Sequence, residues 1–464
     1  MRRFESLLLF AELFAVAWPA LFGVRPRRGI VAGLLVLAAA GQIQWEGFRW
    51  QMIPLYVVAF GLAVGDIVFI DRRLEWKNRL ARGVFGVAGL VLAAALPVAL
   101  PVPELPMPPG PQTIGTITVE VVDTEREEIY GENPGGPRRF VAQVFYPAQR
   151  VEGVDPVPWS EEWEVVAPAL SELLGFPPWF LNHTRYVRTH SYPSLPMAEG
   201  SFPVVIYSHG WTGFRTVALN QMETLASNGY IVIAIDHTYG SAATKLGDEV
   251  VPWDPAALPD REEVGDRAYF EAAAKLIDTF TRDIITVLDA LDQRDAGPLA
   301  ALAGRADVGR IGVYGHSAGG GAAIAACLLD ERCSAVLGMD PWVEPLPERI
   351  LKISATRPAL YMRSDGWRGT PNDAILRGIA GRSESVTYWL GIDGAGHNDF
   401  VVAPLFSPFA SALGLKGPIP TGRIIPIIDN YLLGFFDVFL LETGPAALDA
   451  VSFDEVSVEV IDPR

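Results

Sequence analysis

The stretch Gly315-His316-Ser317-Ala318-Gly319-Gly320-Gly321 narrows the folds open to this chain. It follows an apolar run at 310–314 that reads as a short buried strand. It precedes Ala322-Ala323-Ile324-Ala325-Ala326, which reads as a helix. Strand, Gly-x-Ser-x-Gly, helix is a turn that lifts a serine hydroxyl above the edge of a sheet. The turn is so tight that the positions flanking the serine must be nearly free of side chain, and Gly315 and Gly319 supply that. The N–H of Ala318, at the helix start, then points where an oxyanion would form. The competing reading, a Gly-rich turn with an idle serine, weakens as the rest of the chain supplies partners.

At 464 residues the chain is long for one domain, and two are expected. Half of its residues are hydrophobic and its mean hydropathy is positive, which points to a membrane part. A formal charge of −17 argues against nucleic-acid binding. The two cysteines, Cys327 and Cys333, are too few for a disulfide framework. An exported domain could join them across a helix end; two buried thiols are the other reading. No Cys/His cluster has zinc spacing, and neither metal nor cofactor is expected.

Residues 1–100 read as a bundle of about four transmembrane helices, with apolar runs at 6–23, 29–43, 52–70 and 84–100. A spanning helix takes about 20 residues, with about 17 as the lower limit. The second run is marginal unless it extends through Trp45. A cleaved signal peptide is the alternative for the first run, but no small-residue cleavage site precedes the next one. Glu12 and Asp66 lie inside apolar runs and are read as facing the bundle or an interface rather than as a site of their own. Lys and Arg gather in the first loop (Arg25, Arg27, Arg28) and the third (Arg72, Arg73, Lys77, Arg79, Arg82). With four spans these loops share the cytoplasmic side, and the remaining chain lies outside the cytoplasm. A second run that fails to cross reverses that parity.

Residues 101–111 form a proline-rich, extended linker, and 112–464 form the second domain. Segments 116–122 and 140–146 alternate like an antiparallel pair. Segments 203–208, 230–235, 310–314, 335–339, 359–363 and 386–390 are short and mostly apolar, as buried parallel strands are. Helical stretches at 216–227, 269–291, 318–329 and 424–440 intervene or follow. The expectation is a doubly wound, mostly parallel α/β sheet of the α/β-hydrolase arrangement. Insertions at 154–199 and 240–266 read as lids or as surface decoration.

A serine nucleophile needs a base, an orienting carboxylate and an oxyanion hole. In this arrangement the chain order is Ser, Asp or Glu, then His. Of six histidines only His397 follows Ser317, in Gly396-His397-Asn398-Asp399 after the last parallel strand. The acid is Asp340, ending one strand, or Asp365, ending the next; position alone divides them evenly. The second oxyanion donor is expected in Ser208-His209-Gly210-Trp211, at the N–H of Trp211, beside that of Ala318. His209 is read as shaping this loop, and His316 as pointing away from the reacting face. A structural role is favoured for His237, and packing or surface roles for His183 and His190.

Taken together, Ser208-His209-Gly210, Asp236-His237, Gly315-His316-Ser317-Ala318-Gly319-Gly320, Asp340-Pro341-Trp342 and Gly396-His397-Asn398-Asp399-Phe400 resemble the platelet-activating-factor acetylhydrolase family, in its bacterial, membrane-attached or secreted branch. The resemblance covers about residues 110–440. It implies a serine esterase acting on short-acyl or lipid-like esters without metal or cofactor. It favours Asp340 over Asp365 and matches the oxyanion donors to Trp211 and Ala318. Two departures bear on the substrate: the N-terminal bundle and the segment 154–199. A polyester- or dienelactone-hydrolase-like esterase, a peptidase or thioesterase on the same fold, and a non-catalytic membrane protein with a relic hydrolase domain are the alternatives. Acyl length, head group and oligomeric state are not encoded in these motifs.

Overall fold

The computed structural model describes residues 1–464 except 25, 69–75, 294–295, 445–447 and 449–451. Arg25, Arg72 and Arg73, counted above among the loop charges, lie outside the described residues, as does the end of the third apolar run. The chain forms two compact units. The first comprises Met1–Glu104, Asn182–Val187 and Leu405–Ala410; the second comprises Leu105–Leu181, Arg188–Pro404 and Ser411–Arg464.

The first unit holds four helices: α1 (Arg3–Phe22), α2 (Ile30–Glu46), α3 (Ile53–Val68) and α4 (Trp76–Ala99). Among the described residues, three helical segments are long and apolar enough to cross a membrane: Arg3–Phe22, Trp50–Val68 and Trp76–Ala99. The sequence led us to expect about four. α2 does run past Trp45, but Gly29 and Gly47, at φ 83° and 80°, bound it at 17 residues. Both charges singled out in the apolar runs are placed. The Asp66 carboxylate accepts the N–H groups of Gly29 (2.9 Å) and Ala32 (3.2 Å), capping the start of α2. Glu12 is fully buried. A second acid, Glu5, takes two hydrogen bonds from buried Arg49, at 2.7 and 2.9 Å. Gln51 and His183 meet within this unit, with Nε2 and Nδ1 2.9 Å apart.

The second unit is built on one ten-stranded sheet. Its strands are β1 (Thr113–Glu127), β2 (Pro137–Ala148), β3 (Ser191–Pro193), β4 (Phe202–Ser208) and β5 (Ile231–Asp236). A separate hairpin follows, β6 (Ala243–Leu246) and β7 (Glu249–Pro252), and then β8 (Ala306–His316), β9 (Cys333–Met339), β10 (Ala359–Arg363), β11 (Thr387–Ile392) and β12 (Val456–Ile461). The order across the sheet is β12-β11-β10-β9-β8-β4-β5-β2-β1-β3. From β11 to β5 neighbouring strands are parallel, and β2, β1 and β12 add antiparallel pairings. Strands β5, β10 and β11 are buried at every residue because helices cover both faces.

The helices are α5 (Trp163–Leu173), α6 (Leu219–Ser227), α7 (Arg261–Asp292), α8 (Ala318–Leu329), α9 (Glu348–Leu351), α10 (Pro371–Ala380), α11 (Ala403–Phe406) and α12 (Thr421–Leu440). All but α11, which straddles the division between the units, lie in the second. This is the α/β-hydrolase architecture the sequence pointed to, with two edge strands, β3 and β12, that the sequence reading did not contain. α7 begins earlier than expected: Asp260 caps it, and Gly265 at φ 77° breaks it after its first turn. Cys327, near the end of α8, and Cys333, at the start of β9, form a disulfide. That resolves the two readings of the cysteines.

Candidate active site

Ser317 sits between β8 and α8 with φ 56° and ψ −123°, a conformation that side-chain-bearing residues rarely hold. Hydrogen bonds impose it. The Ser317 N–H donates to Met339 O (3.0 Å), and the Ser317 carbonyl accepts the N–H of Gly321 (3.0 Å) and of Trp342 (2.8 Å). The neighbouring glycines answer to space. A β-carbon on Gly319 would lie 2.2 Å from Ser208 O, and one on Gly315 would lie 2.4 Å from Gly319 O. Only glycine lets α8 start this close to the end of β4.

Asp340 also takes a positive φ, 42°, one residue beyond β9. Its carboxylate is fully buried and has three donors. Ser364 gives its N–H to Oδ1 at 2.8 Å and its hydroxyl to Oδ2 at 2.6 Å. His397 Nδ1 lies 3.0 Å from the same Oδ2. The other imidazole nitrogen, Nε2, is not engaged by Asp340. The indole of Trp367 stacks on the His397 ring, with centroids 4.8 Å apart and planes 11° from parallel. Asp365, the rival acid, is half-exposed; it accepts the N–H of Gly394 at 2.7 Å and pairs with Arg368. The structure therefore brings Asp340, and not Asp365, to His397.

Beside the serine lies the loop after β4. A β-carbon on Gly210 would come within 3.1 Å of Ser317 Cβ. Among the described residues, neither the N–H of Trp211 nor that of Ala318 donates to a protein acceptor. Both peptide groups adjoin Ser317, so both remain available to an incoming oxygen. Partly buried aromatic rings surround the site. Trp211 meets Trp253 edge-on at 5.8 Å, and Trp342 lies 5.9 Å from Tyr269. Trp253 follows the β6–β7 hairpin, so the 240–266 insertion reaches the site. In the 154–199 insertion, Trp159 Nε1 donates to Thr216 O, ahead of α6, at 2.8 Å.

The other histidines are occupied elsewhere. His316 is buried, with Nε2 2.9 Å from the carbonyl of His397, so it holds the loop that carries His397. Burial pushes its pKa well below the usual histidine value. His190 pairs with Glu223 at 2.9 Å. Sequence reasoning missed Ser364 and Trp367. Ser364 was within reach: Met362 pairs with Met339 across β9 and β10, so the residues just past both strand ends face each other. Trp367 carries no local signal.

A mostly parallel sheet, a serine on a strand–helix elbow and a histidine after the last parallel strand define the α/β-hydrolase class. Within that class, the family model described as platelet-activating factor acetylhydrolase, isoform II, matches residues 121–255 and 279–440. That is more than half of the chain, and the chain belongs to this family. A dog platelet-activating factor acetylhydrolase is 28% identical over 256 residues, covering 50% of this chain and 56% of the relative. The guinea-pig protein of that name is 24% identical, covering 53% and 59%. A putative phospholipase A2 of Schizosaccharomyces pombe is 28% identical, covering 35% and 39%. The chain thus matches little more than half the length of its mammalian relatives. A ferulic acid esterase from Streptomyces cinnamoneus shares the fold, with a TM-score of 0.62 at 24% identity, covering 77% of this chain and 99% of that one.

Proposed function

We propose that this protein is a membrane-anchored serine ester hydrolase that cleaves short-acyl or lipid-like esters through an acyl-enzyme. The observation that carries the reading is the strained Ser317 elbow, set on the same sheet as buried Asp340 and its partner His397 at 3.0 Å. Family membership and the names of the relatives support the ester class.

Ser317 Oγ attacks the acyl carbonyl while His397 Nε2 takes its proton. Asp340 holds Nδ1–H, fixes the tautomer and offsets the charge of the imidazolium. The N–H groups of Trp211 and Ala318 receive the developing oxyanion. The C–O bond to the alcohol breaks as His397 returns the proton to the leaving oxygen. Water, deprotonated by His397, then cleaves the acyl-serine, releasing the acid and regenerating the hydroxyl. The aromatic rims, Trp211–Trp253 and Trp342–Tyr269, supply apolar contact for an amphiphilic ester. The apolar helices of the first unit anchor the chain in a membrane. The second unit lies outside the cytoplasm, a placement that its disulfide favours.

The test is hydrolysis of p-nitrophenyl acetate, butyrate and palmitate by the full chain in detergent, beside Ser317→Ala. The expected result is a preference for the short esters and a loss of at least about 10³-fold in kcat in the variant. Unchanged turnover in Ser317→Ala would remove the nucleophile and the reading with it.

A further inference from the structure

The chain carries a second Ser–His–Asp constellation. Ser208 Oγ lies 2.8 Å from His237 Nε2, and His237 Nδ1 lies 3.0 Å from Asp283 Oδ2. All three residues are fully buried, so no ester reaches them. Arg138 grips Asp283 at 2.7 and 3.2 Å, and Arg126 adds a contact at 2.7 Å. The His237 ring is thereby fixed at both nitrogens, Nδ1–H to the carboxylate and Nε2 to the Ser208 hydroxyl. This order fixes the main chain at 237, and that main chain touches His209.

His209 is fully buried at the end of β4. Its Nε2 lies 3.2 Å from the backbone N–H of His237 and 2.8 Å from Ser241 Oγ. A backbone N–H can only donate, so Nε2 is the bare nitrogen and Nδ1 carries the hydrogen. Nδ1–H donates to the carbonyl of Gly210 at 2.7 Å, and that carbonyl also accepts the N–H of Gly213 at 2.9 Å. Burial keeps the imidazole neutral by pushing its pKa well below the usual value. The Gly210 carbonyl belongs to the same peptide group as the Trp211 N–H. In a trans, planar peptide the two point in opposite directions.

We infer that His209 is a positioning residue: its Nδ1–H pins the Gly210 carbonyl and so presents the Trp211 N–H on the serine side. The inference rests on the reading of Ser317 as nucleophile and the Trp211 N–H as oxyanion donor. Without the Nδ1–H, the peptide is held by Gly213 alone and can turn its carbonyl toward the developing negative charge.

The test is p-nitrophenyl acetate kinetics of the full chain in detergent for His209→Ala, His209→Asn and His209→Gln. Asparagine puts an amide N–H near the place of Nδ1; glutamine reaches the place of Nε2. His209→Ala and His209→Gln are expected to lose about 10²–10³-fold in kcat, with KM within about twofold. His209→Asn is expected to recover at least about tenfold of that loss. Thermal melts establish which variants are folded. Should His209→Ala not fold, the Asn and Gln variants decide, since both keep a buried polar side chain. Turnover within about threefold of wild type in folded Ala or Gln variants would overturn the inference, as would rescue by Gln equal to that by Asn. In those cases Ser317→Ala remains inactive and the reading of the site stands; an active Ser317→Ala overturns both.

Discussion

Asp340 and Asp365 end adjacent strands and are indistinguishable by position in the chain, yet their surroundings differ. Asp340 is buried, with Ser364 donating twice and His397 at 3.0 Å. Asp365 is half-exposed and caps the turn at Gly394. Asp340→Asn can present an N–H to His397, which forces the wrong tautomer, and kcat should fall about 10⁴-fold. Asp365→Asn keeps an acceptor for the Gly394 N–H and should stay within about threefold. Parallel kinetics on the two variants check the assignment, and the opposite ranking would move the acid to Asp365. The stacked Trp367 gives a smaller effect. An aromatic face against a forming imidazolium contributes about 0.5–2 kcal/mol, so Trp367→Ala should lower kcat about twofold to thirtyfold. A normal kcat would mean that the stack only packs. Ser317 and His397 were legible because each is announced by its own glycines. Ser364 and Trp367 were not, because their contacts are made across strands and between loops.

The elements follow the same division. The buried parallel strands were readable as apolar runs, and α8 as a glycine- and alanine-rich helix, since burial on both faces leaves little room for other residue types. β3 has three residues, too few to show a period. β12 does alternate, with Val456, Val458 and Val460, but its place depends on pairing with β11 about seventy residues earlier. α2 illustrates length as the deciding quantity: its composition suits a membrane, and glycines at both ends stop it short. One helix contact yields a pH test. Asp429 on α12 is partly buried against α6, where Asn220 donates to it at 3.1 Å and Thr224 also hydrogen-bonds it. Burial pushes its carboxyl up to about 7. An acid with a folded-state value above its unfolded value of about 3.9 contributes fully below about pH 4, and that contribution is lost as pH rises through about 7. Asp429→Asn removes this loss. Its Tm relative to wild type should therefore climb between pH 4 and pH 8 and level off above. A Tm difference independent of pH would show that the carboxyl is not held protonated.

At the scale of the whole molecule, two observations bear on which side of a membrane the second unit occupies. The first is the Cys327–Cys333 disulfide, a pairing that persists in oxidising compartments and is rare in the cytoplasm. The second is charge. Arg27 and Arg28 precede α2, and Lys77, Arg79 and Arg82 lie in the first two turns of α4, at ends that the positive-inside rule assigns to the cytoplasm. Both support the proposed placement of the second unit outside the cytoplasm, the charges on the condition that all four helices cross. The number of crossings then fixes the N-terminus. If α2 crosses with the other three helices, the N-terminus shares the outer side; if only the three longer segments cross, it lies inside. A maleimide–polyethylene glycol shift on denatured, unreduced protein from expressing cells should show no free thiol, and two after reduction. Thiols that label without reduction would place the catalytic unit in a reducing compartment. A tag fused ahead of Met1 reports the parity: digestion by protease added to intact cells means that α2 spans, and protection means that it does not. The disulfide and the tag are independent, so a free-thiol result with a protected tag would put both ends of the chain inside and require α2 to cross after all.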